Sequence, residues 1–261
     1  FNCTAVVDLE DRVKITDNCS VKRWRFKLVG QEKDPYTGLY EDVTYGWTAW
    51  NSYALAGIPQ GAYELYIEAE DDCGNLGTEK CVVIVEDRVE PVAVCDDELN
   101  ISIGGPGTTN DGLARVTAAD VDEGSWDNCE LDELQVRRSV PADCIATFIA
   151  EGYDKDGNGE LDADDGFETV MKGGEEVLMT PFADYVEFFC CDLAAAVTIE
   201  LQGTDKAFDP VMQMDMPNSN ICWLDITLED KFDPICVAPA PIKLMCDDPE
   251  IEAILDGDVS V

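Results

Sequence analysis

The sequence predicts an all-β protein of tandem β-sandwich modules cross-linked by disulfides, with an insertion in the second module. Three observations lead there: runs that alternate apolar with polar residues, a set of motifs occurring twice in one order, and twelve cysteines with no histidine. Period-two alternation puts successive side chains on opposite faces of a strand, which fits a half-buried sheet.

The strands come first. Trp24, Phe26 and Leu28 alternate with Arg23, Arg25 and Lys27, giving one apolar and one basic face. Tyr63, Leu65, Ile67 and Ala69 alternate with Glu64, Glu68 and Glu70. Val197, Ile199 and Leu201 repeat the pattern against Thr198, Glu200 and Gln202. Short strands separated by Gly, Asn and Pro indicate sandwiches. The only helix seed read from the sequence is Leu193–Ala196, which is too short to alter the class.

The repeated motifs set the modules. Glu86-Asp87-Arg88-Val89-Glu90-Pro91 recurs as Glu229-Asp230-Lys231-Phe232-Asp233-Pro234, each followed by Cys-Asp-Asp at Cys95 and Cys246. Asp17-Asn18-Cys19 recurs as Asp127-Asn128-Cys129, and the Cys81 strand matches the Cys222 strand. Proline after each Glu-Asp cannot donate to a ladder and stops the last strand. Module 1 therefore spans 1–90 and module 2 spans 91–233, with an insertion over about 141–190. Residues 234–261 begin a third module that the sequence cuts off, so the chain reads as a mature fragment of a longer array. In such an array each module touches mainly its neighbours, and the Pro91 and Pro234 junctions are expected to be short and sparsely hinged.

The insertion contains the sharpest chemical signal, D-K-D-G-N-G-E-L-D-A-D-D over 154–165. Side-chain oxygens stand at loop positions 1, 3, 5, 9 and 12, from Asp154, Asp156, Asn158, Asp162 and Asp165. Gly159 at position 6 makes the sharp turn, and Glu160 at position 7 lends its backbone carbonyl. This is the spacing of an EF-hand-type loop around one calcium ion. An Asp at position 12 is shorter than the usual Glu, so its reach for bidentate coordination is the weakest part of the match.

Cysteines at scattered, long spacings, with no C-x-x-C pair, point to a disulfide framework formed outside the cell and not to zinc. Matching the modules predicts Cys3–Cys81 and Cys95–Cys222, each tying first strand to last, and Cys19–Cys73 between sheets. Cys144–Cys190 would pin the base of the insertion and leave Cys129 for Cys191, with the swap of Cys190 and Cys191 open. Cys246 pairs either beyond this sequence or locally with Cys236.

Composition narrows the function. The formal charge is −39, which argues against nucleic acid and anionic membranes as partners and favours divalent cations. The absence of histidine removes Ser-His-Asp and Cys-His machinery, and no apolar run is long enough to span a membrane. Paired carboxylates such as Asp71-Asp72 and Asp164-Asp165 are expected by chance in so acidic a chain, so no catalysis is read from them.

Asp-Asn-Cys, Ala69-Glu70-Asp71-Asp72-Cys73-Gly74-Asn75, Cys81 and the Glu-Asp-x-x-x-Pro junction together resemble hyalin-repeat-like modules. The resemblance covers module 1 and both ends of module 2. It implies immunoglobulin-like sandwiches in tandem, of the kind found in large secreted surface adhesins and gliding filaments of Bacteroidetes. It also implies a structural or adhesive, non-enzymatic role at the cell surface, with neighbouring modules or other copies in a filament as partners. The alternative is a calcium-dependent carbohydrate-binding module using Tyr45, Trp47, Trp50 and Tyr53 on a surface or glycan ligand.

Overall fold

A computed structural model describes residues 3–33, 37–97, 99–104 and 112–231. The protein is all-β in class, as predicted. The described residues up to 230 form one compact unit. The expected third module at 234–261, with Cys236 and Cys246, lies outside the described residues.

The first 85 residues hold β1 (Thr4–Asp8), β2 (Val21–Lys33), β3 (Tyr40–Tyr45), β4 (Ala54–Pro59), β5 (Gly61–Asp71) and β6 (Leu76–Val85). They form a four-stranded sheet in the order β3-β2-β5-β6 and a two-stranded sheet of β1 with β4. The alternation of β2 and β5 explains the packing. Trp24, Phe26, Leu28, Tyr63 and Leu65 bury their apolar face against Val7, Leu9 and Ile58 of the smaller sheet and its flank. The basic face of β2 meets the acidic face of β5, with Arg25 opposite Glu68 and Arg23 opposite Glu70.

The rest of the unit carries β7 (Ile101–Ile103), β8 (Ala114–Thr117), α1 (Ala118–Val121), β9 (Leu131–Arg138), α2 (Ile145–Ala150), β10 (Glu168–Lys172), β11 (Glu175–Met179), β12 (Tyr185–Phe188), β13 (Val197–Asp205), β14 (Phe208–Asp209), β15 (Met214–Asp215), β16 (Ser219–Ile226) and β17 (Leu228–Asp230). The sheet β16-β13-β9 contributes Val136, Ile199, Leu201 and Leu224 to a core shared with the β8-β12 pair and the parallel β7-β17 pair. A separate core of Val140, Cys144, Phe148, Leu161, Phe167 and Phe189 sits under the insertion. Helix α2 gives no periodic signal in the sequence because it is only six residues long. Leu193 instead falls in a 3-10 helix at Cys190–Ala194. The insertion also ends sooner than expected, since β12 already pairs with β8 of the sandwich.

The two Asp-Asn-Cys copies fold alike. Asp17 Oδ1 accepts the N–H groups of Cys19 and Ser20, and Asp127 Oδ1 accepts those of Cys129 and Glu130. Four residues after each Asp, Val21 pairs with Asp71 and Leu131 pairs with Asp205. Asp71 and Asp205 each cap the N–H two residues ahead, at Cys73 and Ala207. The two segments thus share a turn and a strand register.

Among the described residues three disulfides are present, and one matches the expected pairing outright: Cys95–Cys222, tying the start of the second half to β16 with Cα atoms 5.8 Å apart. Cys3 joins Cys129, not Cys81, with Cα atoms 4.2 Å apart. The reason is position along the sheet. Thr4 pairs with Pro59, at the turn into β5, where Val85 lies opposite Gly61; Cys81 lies opposite Leu65, four residues further along β6. That is about 13 Å at ~3.3 Å per residue, beyond the roughly 7 Å that a disulfide spans between Cα atoms. Cys81 is an exposed free thiol.

Of the two partners left open for Cys144, the structure takes Cys191, with Cα atoms 5.4 Å apart. The 3-10 helix turns Cys191 toward the core of the insertion and leaves Cys190 exposed, its sulfur 3.8 Å from the Gly112 carbonyl oxygen. Contrary to expectation, Cys129 is bonded to Cys3 and pairs with neither Cys190 nor Cys191. Cys19 and Cys73 occupy adjoining turns, where the Ser20 hydroxyl donates to Asp72, but both are exposed free thiols and not a bridge. Each turn ties the cysteine N–H back to Asp17 or Asp71 at 2.8 Å, with the thiol at the surface.

Cys3–Cys129 cross-links the Pro91 junction. Gln60 Nε2 donates to Cys3 Sγ at 2.9 Å, Asn220 Nδ2 to the Pro91 carbonyl at 3.0 Å, and Gln213 Nε2 to Gln31 Oε1 at 3.3 Å. The Tyr40 and Phe208 rings meet edge-on at 6.2 Å.

Candidate metal centre

The loop 154–165 is seated by aromatic residues on both sides. Helix α2 ends where the Glu151 N–H bonds the Thr147 carbonyl, and Gly152 turns the chain at φ +87°. Tyr153 then lays its ring on Phe148 at 4.8 Å and donates its hydroxyl to Glu187 at 2.8 Å. Burial first, then Glu187, pushes the Tyr153 phenol above its ordinary value. Leu161 in the loop and Phe167 just after it are buried in the same core, so both loop ends are anchored. These seat residues were missed in the sequence; their signal was the aromatic residue on each side of the acidic run.

Inside the loop the carboxylates organise the backbone. Asp154 accepts the N–H groups of Gly157 at 2.7 Å and Gly159 at 2.9 Å. Gly159 adopts φ +87°, and a Cβ there would meet nothing, so the demand for glycine is conformational. Asp165 is fully buried and accepts the Lys155 N–H at 2.6 Å, with the Asp156 and Asp162 N–H groups at 3.4 Å.

Oxygens of Asp154, Asp156 and Asp165 lie within 4.8 Å of one another. Asn158 adjoins them, its amide donating to Asp156 at 3.0 Å and to Asp162 at 3.2 Å. The structure thus gathers Asp154, Asp156 and Asp165, and links Asn158 and Asp162 to them. Glu160 has an exposed side chain and donates its N–H to Asn158 Oδ1 at 2.7 Å.

The electrostatics follow from this crowding. The Gly159 N–H above all holds the Asp154 carboxyl below its usual range. The Asn158 N–H pulls Asp156 the same way, but burial and the Asp154 and Asp165 carboxylates outweigh it, so Asp156 stands above the usual range. Carboxylate oxygens that converge this closely also favour a hard cation.

The aromatic run is engaged within the chain. Tyr45 donates to Glu32 at 2.5 Å, and Tyr53 meets Trp24 edge-on at 5.0 Å. Arg23 and Arg25 lie over the Trp50 ring at 4.1 and 4.3 Å, and Arg25 and Lys27 lie over Trp47 at 4.8 and 5.1 Å.

No protein-family model matches the chain, and no curated protein matches it. Among the described residues no helix is long and apolar enough to cross a membrane.

Proposed function

We propose that this chain is a non-enzymatic, structural or adhesive segment of a long extracellular repeat protein, stiffened by calcium and disulfides. The observation that carries the reading is the convergence of Asp154, Asp156 and Asp165 in a glycine-turned loop that a dedicated core holds in place. The recurrence of one turn and register in both halves supports a repeat array, as does the resemblance to hyalin-repeat-like modules. Disulfides that join distant parts of the chain suit an oxidising, extracellular setting. The partners are then neighbouring modules, other copies of the chain in a filament, and a surface or glycan that the adhesin contacts.

In this reading calcium takes the Asp154, Asp156, Asn158, Asp162 and Asp165 oxygens and the Glu160 carbonyl, and it relieves the mutual repulsion of the carboxylates. At a calcium concentration 100 times the dissociation constant, binding adds about 2.7 kcal/mol to stability. The test is calorimetric titration with calcium, thermal melts, and single-molecule stretching in calcium and in chelator. Calcium should raise both melting temperature and unfolding force, and Asp154→Asn with Asp156→Asn should remove much of the gain. If calcium changes neither quantity, the reading fails.

A further inference from the structure

A second acidic cluster lies at the junction of the two halves, away from the loop. Asp87 follows β6, Asp127 opens the second Asp-Asn-Cys, and Asp205 ends β13, yet one oxygen of each lies within 4.8 Å of the others. Asp205 is 1% exposed and, among the described residues, receives neutral donors: the Ala207 N–H at 3.0 Å, the Asn218 N–H at 2.7 Å and the Asn218 side-chain amide at 2.8 Å. Asp127 Oδ1 is occupied by its turn, whereas Asp127 Oδ2 is buried with no hydrogen-bond partner among the described residues.

The neighbouring Asn128 Oδ1 is equally buried and unpartnered, and its amide nitrogen lies 3.5 Å from both Asp87 oxygens. The cations nearest in sequence are engaged elsewhere: Arg88 with Glu86, and Lys206 with Glu130 and Asp132. Crowded carboxylates and buried orphan oxygens without counter-charge are costly, and a bound cation relieves both.

We propose that a divalent cation, calcium by its all-oxygen surroundings, binds at this junction through Asp87, Asp127 Oδ2, Asp205 and, with its amide turned, Asn128 Oδ1. The Cys3 and Cys129 sulfurs lie within the same reach of Asp87, but they are bonded to each other and offer no thiolate, which disfavours zinc. Asp87 leaves the first half and the other ligands belong to the second, so the ion and the disulfide together fix the junction. The ligands recur by position: Asp17 and Asp71 stand where Asp127 and Asp205 stand, in the same register, and Asp230 repeats Asp87 in the Glu-Asp motif. An array of such modules would then carry one cation at each junction.

The test counts calcium bound per chain, by native mass spectrometry and equilibrium dialysis, on the whole chain with its disulfides intact. Asp127→Asn keeps the oxygen that caps the turn and replaces the orphan with an amide nitrogen. It should bind one calcium fewer than the parent, or hold that ion at least about tenfold more weakly. Asp87→Asn, in a partly exposed segment that leaves the second core untouched, should do the same. Far-UV circular dichroism in chelator checks that each variant folds.

The junction ion is independent of the loop. Asp154→Asn with Asp156→Asn should lose a different ion, and combining it with Asp127→Asn should lose both. If Asp87→Asn and Asp127→Asn, both folded, bind calcium in the parent's number and affinity, the junction site is refuted whatever the loop does.

Discussion

Arg138 and Asp192 face each other with both side chains fully buried, joined by two nitrogen–oxygen contacts of 2.7 and 2.5 Å. Arg138 also donates to the Ser139 and Glu187 carbonyls, and Asp192 accepts the Phe189 N–H, so each group is well satisfied. The guanidinium lies over Phe188 at 4.5 Å. The pair fastens the end of β9 to the 3-10 helix that carries Cys191, and so fixes the base of the insertion.

Arg138→Met strands a buried carboxylate. It should destabilise the protein by about 3–5 kcal/mol in denaturant unfolding, while Arg138→Met combined with Asp192→Leu should recover much of that loss. A single variant as stable as the parent would show that the pair does not hold the fold.

The Cys3–Cys129 bridge closes 126 residues of sequence separation. Replacing both with serine should cost about 2–5 kcal/mol, mainly by freeing the unfolded chain. Non-reducing peptide mapping should recover Cys3 linked to Cys129; a Cys3–Cys81 peptide would contradict the pairing.

Gly159→Val forces a branched residue into a left-handed backbone at φ +87°. The expected cost is about 1–3 kcal/mol of stability, with weaker calcium binding although no ligand is touched. Calorimetric titration beside a denaturant melt checks both.

Acid should weaken the first half through Asp71 and Glu70. Asn75, by its side-chain amide and then its N–H, holds the Asp71 carboxyl below 3.8, and Lys22 followed by Arg23 holds Glu70 below 4.5. Carboxyls depressed in the folded state add stability that is whole above those ordinary values and lost as pH falls below them. Melting temperature measured in chelator should therefore drop below about pH 4, and Asn75→Ala should make that drop shallower. An unchanged slope would remove Asp71 from the account.

Much of the architecture is local and was therefore legible. The alternation of Trp24, Phe26 and Leu28 requires a half-buried strand wherever that strand goes, because period two is a property of the backbone. Asp154 to Asp165 carries its ligand spacing within twelve residues, and the Asp-Asn-Cys turn closes within four. Such features depend on near neighbours, which the sequence states in order.

Tertiary structure decided whatever depends on distance between elements. Cys3 and Cys81 match Cys95 and Cys222 by position, yet only the second pair bonds, because the strand offset at the turn carries Cys3 to Cys129. Asp87, Asp127 and Asp205 are far apart in sequence and meet because β13 pairs with β9 just beyond the turn that Asp127 opens. A carboxylate's neighbours in sequence are covalently assured, whereas its neighbours across a sheet depend on register, and register is set by the burial of whole strand faces.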